Sequence, residues 1–178
     1  METTRLRIDE LTAGDAQFTV LLLNDPDFIA NIGDRQIRTQ AQAVDYLQDG
    51  PISSYLNNGF GMYAVREKSS GSVLGMCGLV KRDGLLDVDI GYAFLPSARG
   101  KGYALEAAEC VMLFAKDELH LHRLVAIVSP DNSASISLLK TLGLSYESML
   151  KLSPEDEPVC LYATQFPQNI EFDTPPKR

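Results

Sequence analysis

The chain has 178 residues, 45% apolar and 22% charged, with a formal net charge of −8. That length suits one domain with a real core, and the apolar share excludes a disordered chain. The excess of carboxylates argues against a nucleic-acid partner, which needs a basic face, and the lack of a long apolar run argues against a membrane span.

Thr4 to Leu11 alternates as a first strand, and Gly14-Asp15 opens a helix to about Leu23 that Asp25-Pro26 closes. Thr39 caps a second helical stretch, with Ala43, Val44, Leu47, Ile52, Tyr55 and Leu56 at helical spacing. Pro51 kinks or divides it, and Asn57-Asn58-Gly59 ends it. Three strands follow, Phe60 to Arg66, Val73 to Lys81 and Leu86 to Leu95. Lys68 to Gly71 makes the first turn, and Asp83-Gly84 reads as a two-residue hairpin turn with positive φ at both positions. Ala104, Ala107, Ala108, Val111, Phe114, Ala115 and Leu119 form the apolar face of the next helix.

Leu121 to Ser129 reads as a buried strand, and Pro130 to Ser133 start a helix that Gly143 closes. Two last strands, Ser145 to Leu152 and Pro158 to Phe166, flank the acidic turn Pro154 to Glu157. Residues 1–166 are expected to form a single domain and residues 167–178, with three prolines, a tail. The fold class is α/β, an α+β sandwich: a mixed, largely antiparallel sheet of about seven strands with about four helices on its faces.

The N-terminus, METTRLRIDE, has no signal-peptide core, so a cytoplasmic location is expected. Cys77, Cys110 and Cys160 are odd in number, widely spaced and set in apolar stretches, which suits buried thiols rather than a disulfide frame. With His120 and His122 the only histidines, no metal site is expected. The acidic balance favours a cationic substrate such as an amine, although plain solubility accounts for it equally well.

Between a strand and an alanine-rich helix lies Leu95 to Ala104, LPSARGKGYA. A tight glycine turn there aims unpaired amides and the positive helix end at one spot, which suits a pyrophosphate. Gly100 and Gly102 admit oxygens close to the backbone, and Arg99 and Lys101 add charge. A Walker loop is excluded because Gly102, not Ser or Thr, follows Lys101. A dinucleotide fingerprint fails because Leu105 stands where its third glycine belongs.

Arg99-Gly100-Lys101-Gly102-Tyr103-Ala104 meets a third pattern, Arg/Gln-x-x-Gly-x-Gly/Ala, and resembles the acetyl-coenzyme A pyrophosphate loop of the GNAT N-acetyltransferases. Ile90-Gly91-Tyr92, Glu106-Ala107, Leu121 to Leu124, Asn132 to Ser135 and Leu138 to Leu144 extend the resemblance. Thr4-Arg5-Leu6 resembles the opening strand of the ribosomal-protein N-terminal acetyltransferase branch.

The resemblance implies a V-shaped slot between the strand before the loop and Val125 to Ser129. In it the backbone of Phe94 and Leu95 bonds the pantetheine arm of acetyl-CoA, and Asn132 reaches the arm or the thioester. A helix-cap role for Asn132 stands beside that one. No metal is implied. The acceptor is a primary amine, on a protein N-terminus or a small molecule, attacked directly, by a monomer or a homodimer.

Asp89 stands where many members carry a glutamate base; fixation by cross-strand hydrogen bonds is its alternative role. Asp87, on the same strand face by alternation, is a weaker second candidate. Glu106 in the first helical turn reads as structural. The tyrosine that many relatives use as acid is replaced by Leu139, so Ser135 or Ser137 is left, or a thiolate that departs unaided. A coenzyme-binding regulatory module with reduced catalysis is the alternative function.

Overall fold

The computed structural model describes residues 1–167; most of the segment read as a tail, residues 168–178, lies outside the described residues. The element order is β1 (Leu6–Glu10), α1 (Ala16–Leu23), α2 (Pro26–Ile32), α3 (Gln40–Leu47), α4 (Ser53–Asn58), β2 (Met62–Glu67) and β3 (Val73–Val80). Then come β4 (Asp89–Phe94), α5 (Tyr103–Asp117), β5 (Arg123–Val128), α6 (Ser133–Thr141), β6 (Ser145–Leu150) and β7 (Val159–Gln165). The seven strands form one sheet in the order β1-β2-β3-β4-β5-β7-β6, antiparallel except where β4 meets β5. Among the described residues no helix is long and apolar enough to cross a membrane.

Helices cover both faces of the sheet, which explains why β3 is apolar almost throughout. Tyr63, Val65, Cys77 and Leu79 point to one face, against Ala107, Ala108 and Val111 of α5. Ala64 and Met76, at the intervening positions, point to the other, against Leu22 and Leu23 of α1, Phe28 of α2 and Leu47 of α3. The fully buried small residues of α5 let that helix lie close on the strands. Cys77 and Cys160 are buried as expected, whereas Cys110 is half-buried.

Two helical segments beyond the four read from the sequence have local causes. α1 ends at Leu23, as expected, and Asp25-Pro26 then starts α2: the Asp25 carboxylate accepts the Phe28 N–H at 3.2 Å, and Pro26 occupies the first turn, where its missing donor costs nothing. Pro51 divides the second stretch, as expected. Residues 48–52 widen into a π-helical turn in which Ser53 N–H donates to the Gln48 carbonyl, five residues back. Thr39 caps α3 by accepting the Gln42 N–H at 3.2 Å.

The β3–β4 connection corrects the hairpin expectation. Asp83-Gly84 does turn the chain, with Leu85 N–H donating to the Arg82 carbonyl at 3.3 Å, but only Gly84 has positive φ (+87°). Pairing resumes at Asp89, so residues 81–88 form a longer loop over one end of the sheet.

Candidate active site

β4 and β5 share a single ladder position, Asp89↔Val125, and then part. Leu95 N–H donates to the Leu74 carbonyl of β3, so odd positions of β4 face β3 and even positions face the gap. The backbone of Ile90, Tyr92 and Phe94 therefore lines one wall of a V, and Ala126, Ile127 and Val128 line the other. The cleft encloses about 960 Å³.

At the mouth of the V stands the N-terminus of α5. Its first intrahelical bond is Glu106 N–H to the Gly102 carbonyl, at 3.1 Å, which leaves the amides of Tyr103, Ala104 and Leu105 without helical partners. Gly102 has φ +78°, a left-handed conformation that a β-branched residue adopts only with strain, and Gly100 also has positive φ. Bare amides at a helix start beside two residues without Cβ fit a pyrophosphate.

The two cations of the loop turn elsewhere. The Arg99 guanidinium binds Asp25 and Asp27 at the start of α2, and its Nε donates to the Phe94 carbonyl at 3.0 Å. Lys101 is exposed and outside the cleft lining; its carbonyl accepts from Arg5 at 2.9 Å. The Tyr103 ring is buried beneath the Arg5 guanidinium, and its hydroxyl donates to Glu67 at 2.7 Å. Arg99, though held by Asp25, Asp27 and Phe94, still lines the cleft beside Gly100 and Gly102.

Leu95 N–H donates to the Leu74 carbonyl, and the Leu95 carbonyl accepts from Ala98 N–H, which leaves that carbonyl one lone pair for a ligand. Phe94 keeps its N–H toward the gap while its carbonyl holds Arg99. Asp87 precedes β4 and does not share its alternation; its carboxylate accepts from Arg123 at 2.8 Å, outside the cleft. Glu106 accepts from Thr3 at 2.5 Å and from the Arg5 backbone at 2.9 Å. Partial burial pushes the Glu106 carboxyl up, and the bonds from Thr3 and Arg5 outweigh it, holding the group below its ordinary value.

Asp89 sits at the point where the strands part, 1% exposed. One carboxylate oxygen accepts from Arg82 Nε at 2.5 Å, and the other from Ile127 N–H at 3.3 Å, an amide that the parted ladder no longer satisfies. The cross-strand fixation weighed for this residue is thus present. Burial pushes the carboxyl above its ordinary value, against the opposing pull of Arg82.

Across the gap, Ser135 Oγ lies 2.8 Å from the Tyr92 hydroxyl. Burial pushes the Tyr92 phenol up to about 12. Asn132 caps α6, its Oδ1 accepting Ser135 N–H at 3.0 Å, and also lines the cleft. Leu139 is core and Ser137 is exposed outside the cleft lining. Sequence reasoning missed Arg82, which no motif marks, and Tyr92, which alternation puts on the same sheet face as Phe94.

A second cavity, of about 410 Å³, adjoins the cleft at residues 91–93 of β4, at Phe28 and Ile32 of α2 and at Arg35 and Arg82, and runs beneath α2, α3 and α4. The site is therefore two chambers with a shared wall.

Residues 5–145 match the model of the acetyltransferase (GNAT) domain. A Bacillus subtilis protein, YkkB, is 27% identical over 163 residues, covering 90% of this chain and 92% of that one. The acetyltransferase from Agrobacterium tumefaciens superposes with a TM-score of 0.78 at 21% identity, covering 93% and 94% of the two chains. RimL, the ribosomal L7/L12 α-N-protein acetyltransferase in complex with coenzyme A, superposes with a TM-score of 0.78 at 16% identity, covering 92% and 95%. With the domain match spanning most of its length, the chain belongs to the GNAT acetyltransferase family.

Proposed function

We propose that this protein binds acetyl-CoA in the V and transfers its acetyl group to a primary amine by direct attack within a ternary complex. The observation that carries the reading is the parting of β4 from β5 after Asp89, above the bare amide end of α5. Tyr103, Ala104 and Leu105 amides, with Gly100 and Gly102, hold the pyrophosphate. Phe94 N–H and the backbone of Tyr92 bond the pantetheine arm as an added strand. Asn132 keeps its cap and offers its amide nitrogen to the same arm. The coenzyme-bound structure of RimL supports this use of the fold.

In the reaction a C–N bond forms as the C–S bond breaks, and the amine gives up one proton. We assign that proton to Asp89, whose second lone pairs remain open beside Arg82 and Ile127. An α-amino group of pKa ~7.8 is about 14% neutral at pH 7, and a lysine of pKa ~10.4 about 0.04%. Deprotonation costs about 1 kcal/mol for the first and nearly 5 for the second. A buried aspartate with an arginine partner is a sufficient base for an α-amine or a similarly weak base.

Ser135 and Tyr92 hydrogen-bond the departing sulfur rather than protonate it. A thiol of pKa ~8.5 is a far stronger acid than a phenol at about 12. Proton transfer from Tyr92 would therefore run uphill by about 5 kcal/mol.

The test is acetyl-CoA turnover, read as free thiol, over a panel of primary amines, with the acetylated product identified by mass. Amine-dependent thiol release supports the reading. Coenzyme binding with no amine-dependent release favours the non-catalytic alternative.

A further inference from the structure

The chain carries a formal charge of −8, yet among the described residues its second cavity is lined by Arg35, Lys81 and Arg82 with Asp49 as the one carboxylate, Arg35 and Arg82 standing on the wall it shares with the V. Arg35 stands apart from the other arginines. Among the described residues, Arg5, Arg7, Arg38, Arg66, Arg82, Arg99 and Arg123 each pair with a carboxylate, and Arg35 pairs with none. Lys81 also has no ion-pair partner among the described residues, and Arg82 spends only Nε on Asp89. The Tyr46 phenol, pushed up by burial, lies within the fields of both Arg35 and Arg82, which oppose that rise. Two guanidinium groups and a hydroxyl thus converge on one space.

From this we infer that the second cavity binds an anionic group, carboxylate or phosphate, carried by the acceptor amine itself. The inference rests on the acetyltransferase reading and names its substrate class. A simple cation would be repelled by the cavity, whereas a carboxylate or phosphate takes paired N–H bonds from an arginine fork. The volume, about 410 Å³, suits a ligand of amino-acid to dipeptide size. The junction at Gly91, Tyr92 and Ala93 sets such a molecule's amine toward the thioester end of the V. The same cations disfavour an ammonium nearby and so favour the neutral amine that attacks. The overall negative charge, which favours cationic amines at long range, is here outweighed locally.

The experiment compares kcat/KM for matched pairs with acetyl-CoA saturating. O-phosphoethanolamine is set against ethanolamine, glycylglycine against glycylglycinamide, and spermidine serves as the cationic reference. We expect at least one anionic member to exceed its neutral partner by about tenfold or more, as charged hydrogen bonds allow, and the ratio to fall with added salt. Which pair shows the preference distinguishes phosphate from carboxylate. Arg35→Gln should lower that ratio by about tenfold to a hundredfold, and Lys81→Gln should lower it less. Both side chains are exposed, so the variants should keep the wild-type circular dichroism and melting temperature. A preference for spermidine or the neutral amines, or a ratio unmoved by Arg35→Gln, overturns the inference and leaves the acetyltransferase reading standing. Coenzyme binding with no turnover of any member overturns both.

Discussion

The two chambers of the site are built from different materials. The V, proposed to take the coenzyme, offers backbone: three amides of α5, two glycines and the open edge of β4, with Arg99 on its wall held by Asp25 and Asp27 and Lys101 outside it. The second cavity, proposed to take the acceptor, offers side chains drawn from distant stretches, Tyr46 on α3 and Lys81 after β3, with Arg35 and Arg82 on the wall it shares with the V. A backbone site tolerates changes in nearby side chains but not in the local chain path. A side-chain site behaves the opposite way.

The sharpest break between the two ends is Asp89→Asn. It should lower kcat/KM at neutral pH by ~10²- to 10⁴-fold while leaving coenzyme affinity almost unchanged. The deficit should shrink as pH approaches the amine's own pKa, where substrate arrives neutral; a deficit constant with pH would mean that Asp89 only positions. Stability has the opposite sign. With its folded pKa raised, Asp89 adds stability in full below its ordinary value near 3.8, and loses it as pH rises through the folded value. Asp89→Asn should flatten that limb of a pH–melting curve.

Gly102→Val attacks the other end. Valine at φ +78° costs roughly 1–3 kcal/mol of backbone strain and crowds the amides, so coenzyme affinity should fall about a hundredfold or more by titration calorimetry. Normal affinity in a folded variant would remove the loop from the site.

Arg99→Ala sharpens the same point. Because its guanidinium already serves Asp25, Asp27 and Phe94, coenzyme affinity should fall by less than about tenfold, while release of α2 lowers the melting temperature by roughly 2–4 °C. A loss as large as that of Gly102→Val would mean that Arg99 leaves its carboxylates for the phosphates. The smallest effect belongs to Tyr92→Phe, a fall in kcat of about tenfold at most, since a phenol at about 12 is a poor acid toward a thiolate. A fall of ~10³-fold would restore a true acid role.

This contrast also explains what was legible in the sequence. The succession of strands along the chain, the α5 face and the glycine turn follow from periodicity and local spacing, so they could be read directly, whereas the order of strands in the sheet could not. The Asp25-Pro26 pair follows one helix and starts the next, and its helix-start signal, an N-cap followed by proline, is masked by the helix just before it. The hairpin reading of Asp83-Gly84 failed because a loop of residues 81–88, not a tight turn, joins β3 to β4. Arg35, Arg82 and Tyr46 meet only after the sheet and its overlying helices assemble, and nothing in their local spacing announces that. Asp89 is a candidate by its position in the strand, whereas no local spacing marks Arg82, its ion-pair partner.

The most direct test of the account is a thermal-shift measurement with acetyl-CoA, ATP and NAD side by side. At a concentration a hundredfold above Kd, acetyl-CoA should stabilise the protein by about 2.7 kcal/mol, a rise of roughly 5–10 °C. ATP and NAD should shift it little at the same concentration. Equal shifts with all three, or none with acetyl-CoA, would contradict the assignment of the V as a coenzyme A site.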